Sequence, residues 1–175
     1  MKRATGFTLI ELLIAVAIFA FLVALAGPWY SQMNGNFQVR TSGEAILNGV
    51  RLAQAQALKN NLPAVFTLNA ATGWVVQVDD PENVGQTLFK QTWAKSDGGA
   101  AVTITPSPGG TTEVTFDGLG RIIPNTDASA SLQLVDLSNN AGNRPLRVIV
   151  NNTVNATKLC DPDVNLPAND PQGCN

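Results

Sequence analysis

Histidine is absent from this 175-residue chain. That removes histidine acid–base catalysis and the imidazole ligands on which many transition-metal sites depend. No serine or cysteine nucleophile therefore has a recognisable base. Cysteine is scarce: Cys160 and Cys174 both fall in the last sixteen residues, and their spacing excludes a C-x-x-C redox pair. Charge is short as well, with 14% Asp, Glu, Lys and Arg against roughly 25% in ordinary soluble domains. The formal balance is −2, and without Lys2 and Arg3 nine basic residues face thirteen acidic ones. An acidic domain does not favour nucleic acid by bulk electrostatics. The glycines of Gly118-x-Gly120 lack the third glycine and the following helix of a dinucleotide site, and read as a tight turn. Asp79, Asp80 and Glu82 lack the glycine and final glutamate of an EF-hand, and read as a solvated turn. Asp161, Asp163 and Asp170 offer at most weak calcium ligation, so no metal site and no cofactor is assigned. Two glycosylation-type sequons, at Asn151 and Asn155, lie in an Asn/Thr-rich stretch where such matches arise by chance.

What is present is one long apolar run. From Phe7 to Tyr30 the only charged residue is Glu11, and Lys2 and Arg3 lie just before the run. As a helix these residues span about 36 Å at about 1.5 Å per residue. That exceeds the roughly 30 Å of a bilayer's hydrocarbon core, so the run can cross with some tilt. Glu11 is the anomaly, because a carboxylate at mid-membrane depth costs a few kcal/mol. Either it lies near the interface and is solvated, or it pairs with a positive charge on another molecule. An ordinary secretory signal places its small-residue cleavage site after the apolar region. Here the small residue, Gly6, precedes it. Cleavage after Gly6 would keep the whole run, create a new amino terminus on Phe7, and make Glu11 the fifth residue.

Lys2-Arg3-Ala4-Thr5-Gly6 followed by Phe7-Thr8-Leu9-Ile10-Glu11-Leu12-Leu13 resembles the class III signal of type IV prepilins and type II secretion pseudopilins. The resemblance implies that a membrane prepilin peptidase cuts between Gly6 and Phe7, that Phe7 is N-methylated, and that Glu11 is the assembly glutamate. The new α-amine would supply the cation Glu11 lacks, in a neighbouring subunit, and set the axial register of a low-dielectric bundle. An ordinary uncleaved anchor is the alternative.

Gly27-Pro28 should kink or locally melt the helix, because proline removes a hydrogen bond and clashes with the preceding turn. Trp29 and Tyr30 follow, as aromatics do at membrane interfaces. From about residue 36 to 60, Val39, Gly43, Ile46, Val50, Ala53 and Ala57 form one stripe, widened by Leu47 and Leu58. Its small residues would let a sheet approach closely. A coiled-coil dimer is the rival, weakened by the Gly and Ala at the seam. Asn60-Asn61 and Pro63 should end the helix. Strands are then expected at Ala64–Asn69, Trp74–Asp79, Thr87–Lys95, Ala101–Thr105, Glu113–Phe116, Ser131–Asp136 and Leu146–Asn151. Ala71-Thr72-Gly73 reads as a hairpin turn. The segments 106–110 and 139–143 read as loops, the latter exposed. The even cysteine count near the end of an exported chain suggests a Cys160–Cys174 disulfide, closing a loop of about 15 residues worth roughly 3 kcal/mol in the chain-entropy model; two free thiols are the alternative.

The helix leading into a β-rich domain, Phe116-Asp117-Gly118-Leu119-Gly120-Arg121, Arg144-Pro145-Leu146-Arg147-Val148-Ile149-Val150 and the cysteine-bounded tail together resemble the GspH/FimT-like group of minor pilins and minor pseudopilins. The resemblance implies an α+β, pilin-like fold. One long N-terminal helix, a transmembrane half plus an amphipathic half, packs on a β-rich domain of two antiparallel sheets. The expected division is a leader over 1–6, a transmembrane helix over 7–30, an amphipathic helix over 31–61, a β-rich domain over 62–159 and a disulfide-bounded tail over 160–175. It implies a non-enzymatic subunit of pilus assembly or initiation, held in the bacterial inner membrane with its domain in the periplasm and then in the pilus. Its partners would be prepilin peptidase and other minor and major pilins. The tail resembles the type IV pilus branch (FimT and FimU types); a GspH-type pseudopilin of type II secretion is the alternative. Some FimT-type members bind DNA through Gly-Arg-x-Arg before the first tail cysteine. Here that stretch is Asn155-Ala156-Thr157-Lys158, which keeps one positive charge. Arg144, Arg147 and Lys158 could form a small patch, but DNA is not expected as a partner. An enzyme or solute-binding module on a borrowed anchor is the remaining reading, against which the missing histidine and the lack of convergent polar residues argue.

Overall fold

The computed structural model describes residues 7–83, 85–150, 157–163, 165–167 and 170–174. The expected leader with Gly6, the last residue of the seventh expected strand (Asn151), and most of both sequons lie outside the described residues.

The chain begins as a single helix, α1 (Leu9–Asn60), of 52 residues, about 78 Å long. Thr8 caps it: its backbone is extended, and its hydroxyl accepts from the Glu11 N–H at 3.3 Å. At the other end Asn61 turns left-handed (φ 52°) and its N–H returns to the Ala57 carbonyl. The helix therefore starts two residues later than expected and stops where Asn60-Asn61 predicts. It runs through Gly27-Pro28 without a break, so the local melting expected there does not occur. Pro28 cannot donate to the Ala24 carbonyl, but one lost hydrogen bond is worth only about 1 kcal/mol net, and helix propagates cooperatively from both sides.

Among the described residues nine strands follow: β1 (Ala64–Asn69), β2 (Gly73–Asp79), β3 (Thr87–Ala94), β4 (Thr103–Ser107), β5 (Glu113–Phe116), β6 (Ile122–Ile123), β7 (Leu134–Ser138), β8 (Leu146–Val150) and β9 (Thr157–Cys160). They form two antiparallel sheets, ordered β3-β2-β1-β5-β6 and β4-β7-β8-β9. The second half of α1 packs on strands of both sheets. The two-sheet architecture expected from the family resemblance is the architecture found.

Alternation explains the burial. Ala64, Phe66 and Leu68 of β1, Trp74, Val76 and Val78 of β2, and Val114 and Phe116 of β5 point inward. Ile104, Val135, Leu137, Val148 and Val150 do the same from the other sheet. Against them lie Val39, Ile46, Leu47, Val50, Ala53 and Ala57 of the helical stripe. The small residues act as expected. A β-carbon on Gly49 would sit 2.8 Å from both the Phe66 and Trp74 rings, and one on Gly43 would sit 2.8 Å from Leu159 Cδ1. Leu58, placed on the stripe by its spacing, is largely exposed at its edge.

Several boundaries move. β4 covers 103–107, not 101–105, so Pro106 and Ser107 belong to a strand. An edge strand tolerates proline because one side of its ladder is unpaired. β7 covers 134–138 rather than 131–136. The residues before it step between sheets: the Leu132 N–H bonds the Glu113 carbonyl of β5 and the Gln133 N–H bonds the Ser107 carbonyl of β4. β6 and β9 were not expected; each is short and flanked by Gly, Pro or Asn, which mask a strand pattern. The loop 139–143 docks on α1.

Candidate functional site

The first twenty-five residues of the described chain, Phe7 to Ser31, are all exposed, and none of the most apolar 18-residue window is buried. That window has a mean hydropathy of 2.9, long and apolar enough to cross a membrane. Glu11 lies in the first turn of this bare helix. The next charged residue along the chain is Arg40, some 44 Å further up at helical rise. Among the described residues no intramolecular cation can reach Glu11.

Glu11 also has a local role that its charge alone did not suggest. It stands three residues after the Thr8 cap, the T-x-x-E arrangement in which the glutamate sits by the orphan N–H groups of the first turn. A carboxylate there also complements the positive end of the helix dipole. Phe7 is exposed just ahead of the cap. A β-carbon on Gly27 would meet nothing within 4 Å, so that side of the helix is open.

At residues 35–38 the bare helix meets its domain. A β-carbon on Gly35 would lie 2.6 Å from the Gly142 backbone nitrogen, and one on Gly142 would lie 2.7 Å from Asn36 Oδ1. Asn36 Oδ1 accepts from the backbone N–H groups of Asn143 (2.9 Å) and Arg144 (3.1 Å), while its amide donates to Asn143 Oδ1. Asn139 donates to Gln38 Oε1 at 3.3 Å. This clamp was missed because Asn-rich segments read as solvent loops; the usable signal was Gly35, an unexplained glycine inside a helix. Below the clamp a groove of about 790 Å³ opens between Trp29, Met33 and Phe37 of α1 and Arg144, Pro171 and Gln172.

The second family-like stretch, Phe116–Arg121, serves the fold. Asp117 Oδ1 accepts from the Leu119 and Arg121 N–H groups, and its carboxylate takes a two-nitrogen grip from the Arg121 guanidinium. The Arg121 backbone N–H, then its side chain, hold the Asp117 carboxyl below the usual range. Gly120 takes φ +75°, and its carbonyl receives Gln54 Nε2 at 2.9 Å. The turn thereby seats on the end of α1. Asp80 likewise serves its own turn, accepting from Asn83 Nδ2 and the Glu82 N–H.

The three basic residues are not equivalent. Arg147 is held by Asp136 through two bonds of 2.6 and 3.0 Å, and that pairing raises its pKa. Lys158 shares the face of the sheet away from α1 with Arg147, and its ammonium contacts the Gly173 carbonyl. Arg144 is exposed beside the clamp. Cys160 and Cys174 form a disulfide with Cα atoms 5.0 Å apart. Inside the loop it closes, the Asp161 N–H bonds the Gln172 carbonyl and the Cys174 N–H returns to Asp161.

A family model described as type II transport protein GspH matches residues 42–153, more than half of the chain. The chain belongs to the GspH family. A second model, the prokaryotic N-terminal methylation motif, matches residues 1–27. The GspH model thus spans β1 to β8 and most of the packed half of α1, stopping short of β9 and the disulfide tail, and the methylation motif covers most of the bare half. Two crystal structures of the type IV minor pilin FimU of Pseudomonas aeruginosa PAO1 are similar to this GspH-family chain. The P21 form shows 12% identity over 71% of this chain and 88% of that one, with a TM-score of 0.49. The P65 form shows 14% identity over 74% and 97%, again with a TM-score of 0.49. No curated protein matched the chain.

Proposed function

We propose that this GspH-family chain is a minor type IV pilin that takes part in pilus assembly and initiation, and that it does so without catalysis. The observation that carries this is the bare apolar helix with Glu11 as its one charge, held at a fixed height under a domain clamped at Gly35–Gly142. The precursor waits in the inner membrane with its domain in the periplasm. Prepilin peptidase hydrolyses the Gly6–Phe7 bond, and the released Phe7 amine is methylated. Glu11 then pairs with the Phe7 amine of a neighbouring pilin as the helices bundle. The domain supplies contacts to other minor and major pilins. Pro28 leaves the Ala24 carbonyl without its helical donor, which makes Gly27-Pro28 the place where the helix yields when packed.

A Gly6→Ala precursor tests the first step. It should persist at full length in the inner membrane and be missing from sheared filaments. Normal processing and incorporation would overturn the reading. A second reading, a minor pseudopilin of type II secretion, is favoured by the description of the matching family model. Complementation separates them: the pilus reading requires that loss of the gene abolish surface pili while leaving secretion intact. No observation favours a DNA-binding role, since Asp136 neutralises Arg147.

A further inference from the structure

Just above the apolar span, α1 still turns apolar side chains to solvent. Trp29, Met33 and Phe37 stand four residues apart, so they share one face of the helix, and all three are largely exposed. They form one wall of the groove of about 790 Å³, a volume in the ordinary range of ligand sites. Arg144, Asp161 and Pro171 stand on the other side. Two opposite charges thus face one groove without neutralising each other. Among the described residues the ion pairs join Arg40 to Glu44, Arg121 to Asp117 and Arg147 to Asp136. Arg144 and Asp161 are not joined, although both line this groove and the smaller recess beside it. Arg144 is tied to Asn36 through its backbone N–H only, which leaves its guanidinium to the groove. Asp161 Oδ1 accepts from the Asp163 N–H at 3.0 Å, a turn contact that does not cancel the carboxylate's charge.

We propose that this groove seats a zwitterionic ethanolamine phospholipid of the outer leaflet, with its phosphate on Arg144, its ammonium toward Asp161 and its acyl chains leaving along Phe37, Met33 and Trp29. The proposal rests on the membrane-anchored reading given above. Height supports it. With Trp29 at the edge of the hydrocarbon core, the headgroup layer rises about 5–7 Å above that residue. Asn36, which holds Arg144, stands about 10 Å above Trp29. Arg144 is then a few Å above the headgroups, and a long side chain bridges that gap. Charge selects the occupant. A guanidinium takes a phosphate through paired N–H donors, and Asp161 attracts the ammonium of the same headgroup. An anionic headgroup would satisfy Arg144 and be repelled by Asp161. The apolar helix of a neighbouring subunit would cover both charges and pair neither, which is costly. A zwitterionic lipid answers both charges and the apolar stripe together. Held this way, the domain stays on the outer leaflet until the subunit is drawn outward.

The full-length chain in non-ionic micelles is given dioleoyl phosphatidylethanolamine or dioleoyl phosphatidylglycerol at equal concentration, and bound lipid is counted by native mass spectrometry. One ethanolamine lipid should be retained per chain, with affinity about tenfold above that for the glycerol lipid. Arg144→Gln should weaken retention of both by about tenfold. Asp161→Asn should remove the preference and leave the two lipids about equal. Lys90→Gln, on β3, should change neither. Glutamine at 144 keeps the backbone bond to Asn36, and asparagine at 161 can still accept from the Asp163 N–H, so an unchanged melting temperature in both variants separates lost binding from lost fold. Equal retention of the two lipids by the natural chain would overturn the proposal. So would full retention by Arg144→Gln, which would mean that lipid only coats the bare helix. If both variants keep their lipid yet vanish from sheared filaments, the groove belongs to a neighbouring pilin and the proposal falls. Flotation of the chain with vesicles of the two lipids mixed reads the anchor separately: flotation without the preference overturns this proposal alone, and no flotation overturns the anchored reading with it.

Discussion

Glu11 can act as a cap on its own helix or as half of a pair between subunits, and Glu11→Gln separates the two. The Thr8 hydroxyl accepts from the backbone N–H of residue 11 whatever its side chain, and glutamine also fills the capping-box role of glutamate. Only the charge is lost. Glu11→Ala loses both. The local terms are small: a capping contact and the dipole interaction are each worth up to about 1 kcal/mol. Leaving one member of a desolvated ion pair alone costs about 3–5 kcal/mol. With about 1.4 kcal/mol per factor of ten, that is at least a hundredfold in any equilibrium that draws on the pair. No described cation of the same chain lies within reach of Glu11, so the pairing account takes its cation from another molecule. The assay is the ratio of this subunit in sheared filaments to that in the inner membrane, read by immunoblot, with processing checked by mobility. If pairing dominates, Glu11→Gln and Glu11→Ala are both cleaved normally, and both drop at least tenfold in the filament ratio. If capping dominates, Glu11→Ala falls only a few-fold and Glu11→Gln is unchanged. A Glu11→Gln ratio within twofold of the natural chain would refute the pairing argument.

Three further outcomes follow from the domain. Gly49→Ala puts a methyl group 2.8 Å from both the Phe66 and Trp74 rings; overpacking of this kind costs about 1–3 kcal/mol, so thermal unfolding should drop by several degrees. Asn36→Ala removes the acceptor of two backbone N–H groups in the clamp, and the loop 139–144 should show faster amide exchange while the β1–β2 amides stay protected. Asp117 has a folded-state pKa below its ordinary value. Its contribution is therefore present above about pH 3.9, the unfolded value, and lost as pH falls through the folded value. Asp117→Ala should lower the melting temperature at pH 7, and that difference should shrink as the pH is taken below about 4.

The long elements were legible because their signals are redundant. The α1 stripe repeats at helical spacing over six positions, and β1, β2 and β5 carry alternating apolar residues between clear turns. The close helix–sheet approach at Gly43 followed from residue size on the stripe, whereas Gly49, off the stripe as read, showed its part only against the Phe66 and Trp74 rings. What escaped was tertiary in origin. Nothing local marks Asn139–Asn143 as a docking loop, because its partner, Asn36, is a hundred residues away. β9 is a strand only because β8 and the disulfide tail hold it. Arg147 looked like surface charge until β7 placed Asp136 opposite it. Glu11 was noticed for its charge, which hid its position relative to Thr8.

That position also bears on the two accounts of Glu11, as a solvated residue or as a paired one. From Trp29 to Glu11 is eighteen residues, about 27 Å of helix. The hydrocarbon core is about 30 Å thick. In the membrane-anchored form proposed above, Trp29 and Tyr30 at the outer interface would leave Glu11 only about 3 Å short of the inner one. A carboxylate there can reach water, so the waiting precursor carries little penalty. The penalty arises when the subunit is drawn outward, because Glu11 must then enter the core. Lifting by one helical turn, about 5 Å, already takes it about 8 Å inside the core. The clamp at Gly35–Gly142 ties the domain to the helix just above Trp29, so a pull on the domain is a pull on Glu11. On the proposed assembly, solvation and pairing are then successive states of one residue. The amine of a neighbouring Phe7 is needed only once extraction begins, which would make addition to an existing bundle easier than departure from the membrane alone.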